Sequence, residues 1–347
     1  MSASIGWTPI TPMTDQPTDD HSLPNELPPV QPPSAGFILQ LFLIPALIIG
    51  VIVGVVFVFG LMASSQDDWR ELVQEVGSPN KDIRWRAAMG LAQKLSLDDK
   101  QGKSGNNLVA NRQVAEALCG LLDEELRRSW PDDEQVQTQA FLTRAIQLLR
   151  VPDLVVPTLI DAIDPGQDVE VRKNGLAAIA IVADRAETAG QPLSRELTEA
   201  LVKKLADVSA ETTPLMRQMA AVAIGTLKSQ EATEQLKVLL YDSDAATRAN
   251  AMIGLARRND TSGFPVLVEI LETAAQPVEE GEDSFERFAA VKNAIVAIEK
   301  MAPVLTAEQT AQLRGLLAPI AQSHSESRIR LDADHAIETL KATGDPA

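Results

Sequence analysis

The sequence predicts an all-α protein: an α-solenoid of about seven stacked helix pairs, preceded by a single transmembrane helix. Three observations carry this. Aromatic residues make up only 4 % of a chain that is 45 % apolar, which favours helix packed on helix over sheets built from β-branched and aromatic residues. Residues 36–63 form an apolar run with no charged residue between Glu26 and Asp67. Beyond it, one pattern of apolar helix, polar turn and Arg followed by small residues recurs about every 30 to 50 residues, the period of paired-helix repeats.

Residues 1–35 hold eight prolines among Asp, Thr, Ser and Gln, with Pro28-Pro29 and Pro32-Pro33 at the end. Such a composition cannot bury enough apolar surface to offset the entropy of ordering, so this leader is expected to be disordered. The run that follows, GFILQLFLIPALIIGVIVGVVFVFGLMA, exceeds the roughly 20 residues that cross a hydrocarbon core. It lacks the basic n-region and early position of a cleavable signal, so an uncleaved anchor is expected. The leader has no Lys or Arg, whereas Arg70, Lys81, Arg84 and Arg86 follow the run. That bias predicts an N-terminus outside and a cytoplasmic C-terminal domain.

The repeats occupy residues 67–343. Their clearest copies begin at Leu154 and Thr233, where Asp168 and Asp244 each precede an Arg, Arg172 and Arg248, by four residues. Small residues follow the Arg at three and six: Gly175 and Ala178, then Ala251 and Gly254. The template also fits Arg84 with Ala87 and Gly90, Arg217 with Ala220 and Ala223, and Arg330 with Ala333 and Ala336. Weaker copies centre on Gln137 with Ala140 and Arg287 with Ala290. Small side chains let a second helix approach its neighbour closely, the Asp suits a helix N-terminus, and the Arg is placed to reach a carboxylate in its own or the preceding repeat.

The D-x-x-x-R-x-x-A arrangement and the helix-pair period resemble HEAT repeats of the armadillo-like superfamily, over roughly Asp67 to Thr343. The resemblance implies a curved scaffold that binds proteins along a helix face. The segment 111–150 fits least well, with Gln137 at the Arg position and an irregular turn, ELRRSWPDDEQ. Two stretches, 97–110 and 275–284, read as inserted loops available for partner contact.

Chemistry is sparse. Formal net charge is −17, and 44 acidic against 31 basic residues follow the apolar run, which disfavours nucleic acid. Cys119 is the only cysteine, so neither an intramolecular disulfide nor a cysteine zinc site can form. His21, His324 and His335 have no metal-binding spacing, and Asp332 and Asp334 beside His335 lie on different helix faces. The run Glu279–Asp283 lacks the alternating ligands of a calcium loop. No nucleophile elbow, P-loop or dinucleotide fingerprint is present. Trp69 is placed to sit at a headgroup boundary, and Trp85 to cap the first repeat or touch lipid. The reading is a membrane-anchored protein-interaction scaffold with no catalytic, cofactor-binding or metal-binding residues. Its partners are proteins of undefined identity, plus the bilayer through the N-terminal helix. The alternative is a HEAT-like subunit resembling the phycobilin lyases.

Overall fold

The computed structural model describes residues 36, 43–44, 46–55, 68–102, 107–128, 132–274, 276 and 284–344. The chain divides into two compact units, Met1–Gln66 and Asp67–Ala347. In the first, residues 46–55 are helical and their aliphatic side chains, Leu47, Ile48, Val51 and Ile52 among them, are exposed on every side of the helix. No helix among the described residues is long and apolar enough to cross a membrane. The leader and most of 36–63 lie outside the described residues, so the expected span finds no support in them.

The second unit contains fourteen α-helices among its described residues and no strand. They form seven pairs: α1 (Trp69–Val76) with α2 (Lys81–Gln101), α3 (Arg112–Leu126) with α4 (Asp133–Ile146), α5 (Pro152–Ala162) with α6 (Val169–Thr188), and α7 (Arg195–Ser209) with α8 (Pro214–Thr226). Then follow α9 (Gln230–Leu239) with α10 (Ala245–Ala256), α11 (Phe264–Ala274) with α12 (Ser284–Met301), and α13 (Ala307–Ser323) with α14 (Ser327–Gly344). The expectation of about seven helix pairs is met. The stretch 97–110 is not wholly a loop: α2 runs on to Gln101, and Leu108–Ala110 is a 3-10 turn whose Val109 N–H donates to buried Asp98 of α2 at 3.1 Å.

The second helices α2, α4, α6 and α10 start where the sequence offers a cap for orphan N–H groups. Asn80 accepts from the Asp82 and Ile83 N–H groups, Asp168 from Glu170, and Asp244 from Thr247. Asp132 and Gln135 form a reciprocal capping box at α4, which sets the start of the helix that the template located least well. Pro214 opens α8, where a missing N–H costs nothing.

The helices form two layers. Within the odd layer, α1, α3, α5, α7 and α9 pack in succession and α11 packs on α13; in the even layer every helix from α2 to α14 packs on the next. Even-helix packing rests on the predicted small residues: Ala87, Ala140, Ala178, Ala220, Ala223, Ala251, Ala333 and Ala336 are fully buried. At the crossing of α8 and α10 backbone meets backbone. A Cβ on Gly254 would lie 3.0 Å from the Cα of Gly225 and 2.9 Å from Leu236 Cδ1.

Gly254→Ala is therefore expected to destabilise the protein by about 1–3 kcal/mol, because Leu236 can turn aside but the Gly225 backbone cannot move without shifting a helix. Gly120→Ala, at an exposed position of α3 with open space around it, is expected to stabilise by up to about 1 kcal/mol through helix propensity. Urea denaturation midpoints of the two variants check the contrast.

Candidate interaction surface

The predicted arginines line the turns between the helices of successive pairs. Arg172, on α6, donates to Ile163 O of its own turn at 3.2 Å and to both oxygens of Glu211, which belongs to the following pair. Arg217, on α8, makes two 2.9 Å bonds to Asp242 of the following pair and also donates to Glu211 O and Thr212 O. Arg248 donates to Asp242 O, Ser243 O and Glu269, and Arg84 to Glu124 at 2.9 Å. The acidic partners thus come from the following pair, not from the same or the preceding one. The pair's own contribution is carbonyl oxygen, because the turn's carbonyls face the Arg of the helix they lead into. Arg330, on the last helix, donates to the carbonyls of His324 and Ser325, and among the described residues to no acid.

The weak second copy departs from the pattern in a specific way. Gln137 is exposed, and Gln139, fully buried, donates its amide to Glu125 O at 2.7 Å, so a neutral side chain holds this turn. A second set of ties joins the other ends of the even helices. Arg185 donates to Gln147 O and Leu148 O beyond the end of α4, and Arg258 to the carbonyls of Ile224, Gly225 and Leu227 at the end of α8. Cations suit helix C-termini. These two arginines fall at different distances from the repeat's Arg, so no fixed spacing marks them in the sequence.

Reactive groups do not converge. Cys119 is buried and burial pushes its thiol up to about 12, which leaves it protonated and packed. His335 is exposed, 3.9 Å from Glu299, and no group of three or more potential ligands gathers among the described residues. The acidic run 279–283 lies outside the described residues. Trp85 packs edge-on against Phe141 of α4, with ring centroids 4.9 Å apart, so its role is within the stack. Arg70 lies over the Trp69 ring at 4.4 Å. A cleft of about 340 Å³ opens between the end of α6, the start of α7 and the α8–α9 turn. Its rim is charged, with Glu187, Arg195, Glu199, Lys228 and Glu231, and no aromatic side chain lines it.

What the even layer does present is a row of exposed apolar side chains. Met89, Ile181, Val222 and Val296 are each more than 40 % exposed, and Ile253 is half-buried between them. Charge separates the layers as well: the odd helices carry 16 acidic and seven basic residues, the even helices 13 and 17. Six of those 17 are the turn-holding arginines, counting Arg287, which donates to Thr273 O and Gln276 O, so the remaining surface of the even layer is close to neutral while the odd layer is acidic. A near-neutral surface with spaced apolar contacts suits a protein segment better than a polyanion.

A family model for HEAT repeats matches residues 198–282, which covers α7 to α11. No curated protein matches the sequence. Among solved structures, the chain is similar to an archaeal HEAT-like repeats protein from Thermococcus onnurineus NA1, with a TM-score of 0.42 and 14 % identity over 80 % of this chain and 98 % of that one. It is also similar to the CpcE–CpcF complex of phycocyanin lyase from Nostoc sp. PCC7120, at 0.43 and 16 % over 78 % and 94 %. Importin beta gives 0.44 and 14 %, over 80 % of this chain and 42 % of importin.

The Arg217–Asp242 pair is the most enclosed of the predicted tie points, with side chains 12 % and 11 % exposed. Hydrogen bonding by Arg217 holds the Asp242 carboxyl below the usual carboxylate range. A depressed folded value means that this stabilisation is present above the unfolded value of about 4 and is lost as pH falls through the folded one. Arg217→Met, which leaves Asp242 without its main partner, is expected to cost about 2 kcal/mol at neutral pH. The cost should shrink as the pH is lowered through the acidic range, and a variant-minus-parent difference independent of pH would contradict this assignment.

Proposed function

We propose that this chain is a HEAT-repeat, armadillo-like scaffold, anchored to a membrane by residues 36–63, that binds other proteins along its even layer and catalyses no reaction of its own. The observation that carries the binding reading is the set Met89, Ile181, Val222 and Val296, exposed on four of the even helices, α2, α6, α8 and α12. Isolated exposed aliphatics are ordinary, but several spread along one layer of a stack offer an extended partner several anchors. The same reading expects no nucleic-acid partner, in keeping with the excess of acidic residues. The charged rim of the cleft beside α7 favours this reading over the lyase-like alternative, since small-molecule sites are lined mainly by apolar and aromatic groups.

The anchor rests on the uncharged apolar run in the sequence. The exposed aliphatic side chains on all sides of residues 46–55 fit it, because a helix apolar all round is at home in protein or lipid and not in water. The Lys/Arg bias supports an orientation with the leader outside and the repeats in the cytoplasm. Anchoring confines the scaffold to two dimensions and raises the effective concentration of whatever it holds.

Two measurements test these readings separately. A photoreactive side chain at Ile181 is expected to capture discrete proteins in cells, and Val222→Asp in the same chain to weaken that capture about tenfold, a typical hot-spot loss; capture that ignores the substitution would refute an even-layer site. In membrane fractionation the full chain is expected to resist carbonate and yield to detergent, while the double variant Ile48→Arg, Ile52→Arg is released into the soluble fraction. A parent chain that is itself carbonate-soluble would remove the anchor.

A further inference from the structure

The exposed stripe of α9 departs from that of the other odd helices. Of the exposed large apolar side chains in the second unit, only Val238 and Tyr241 lie on an odd helix or in the turn that follows it, among the described residues. They are 63 % and 89 % exposed, and at a spacing of three they share one face of the helix. Counted back from the acid that receives the arginine tie, Asp242 here and Glu211 on α7, their counterparts on α7 are Asp207 and Ala210. Neither counterpart is large and apolar. The pair is therefore not a position left bare in every repeat.

The pair is also held still. Leu239 and Leu240, between its members, are buried, and the last turn is closed by the Tyr241 N–H donating to Val238 O and the Asp242 N–H to Leu239 O, both at 3.2 Å. Asp242 is fixed in turn by its two bonds from Arg217 and by accepting from the Asp244 N–H at 2.8 Å. An exposed aromatic ring on a fixed backbone loses little freedom on binding, which makes tyrosine an efficient anchor. Its surroundings are acidic. Glu231 and Glu234 precede Val238 on the same exposed stripe, and α11 carries Glu269 and Glu272 but no cation. The one cation of α9, Lys237, lies 3.4 Å from Glu234 and 3.5 Å from Asp260, which neutralise it. On the other side α7, with three acids and three bases, is balanced.

We propose that Val238 and Tyr241 anchor a second docking surface, on the odd layer, for a segment of another protein in which arginine stands beside an apolar side chain. The apolar side chain covers Val238, and the guanidinium stacks on the Tyr241 ring while the surrounding carboxylates attract it. Arginine suits the site better than lysine, because its planar, weakly hydrated cation can lie flat on a ring and still offer N–H groups to a carboxylate. A second copy of this chain is disfavoured by its net charge of −17, and a polyanion by the carboxylates. The surface is separate from the even layer. One stack can thus hold two partners, the even one by spaced apolar contacts and the odd one by charge and an aromatic anchor.

Tyr241 is the only tyrosine in the chain, so the full protein grown with 3-fluorotyrosine gives a single fluorine resonance that reports on this site alone. The probe is a capped peptide of alternating arginine and leucine, added to the protein in neutral detergent. Expected is a saturable shift of that resonance, weakened by salt, with a severalfold lower affinity for the lysine counterpart of the peptide. Val238→Ser and Tyr241→Ala change no charge, and each should lower the affinity measured by calorimetry about tenfold. Leu331→Ser, at an exposed apolar position of α14, should leave it unchanged. Binding that leaves the resonance unmoved, or that survives both substitutions, is attraction by charge alone and overturns the proposal, as does an absence of binding. Equal affinity for the lysine peptide overturns the choice of arginine. A resonance that moves with protein concentration before peptide is added would place a second copy on this face, and overturns the proposal too. The even-layer site is read separately, by capture at Ile181.

Discussion

Close approach of the even helices is the constraint on which the rest of the molecule depends. Where α8 crosses α10 there is no side chain between the two backbones, only Gly225 against Gly254, and along the layer alanines take the equivalent positions. A helix pair alone would leave these small-residue faces exposed with nothing large enough to shield them. Stacking solves this for every internal pair at once, and fixes where each turn must lie. The turns are then brought near enough for an arginine on one pair to reach an acid on the next, so the ties at the turns follow from the packing and do not create it.

Much of this was legible in the sequence because the signals are local and periodic. Asp168 with Gly175 and Ala178, and Asp244 with Ala251 and Gly254, carry cap and contact within about ten residues, and the structure uses both as expected. What was hidden depends on longer distances. Nothing near Arg217 says that Asp242 is its partner, 25 residues on, so the direction of the ties was read backwards. Gln139 takes over a turn because α4 begins at a capping box that a template centred on arginine does not register. Arg185 and Arg258 cap carbonyls of other pairs from positions set by unequal helix lengths.

The candidate surface was legible only in kind. A helix face as the candidate surface is what the resemblance of the repeat pattern to HEAT repeats implies. Which face is apolar and near neutral needed the assignment of exposed positions to odd or even helices. Met89 and Val222 look like any other aliphatic residues in their sequence contexts; only the burial of their neighbours distinguishes them.

The forward direction of the arginine ties gives the stack a mechanical polarity. Among the described residues, Arg84, Arg172, Arg217 and Arg248 each fasten their own pair to the one after it. A tie is made by one pair and received by the next, so an internal pair cannot leave without stranding an arginine on the pair before it. Opening at one pair therefore loosens its neighbour, and disorder has to spread along the array pair by pair, as a zip does.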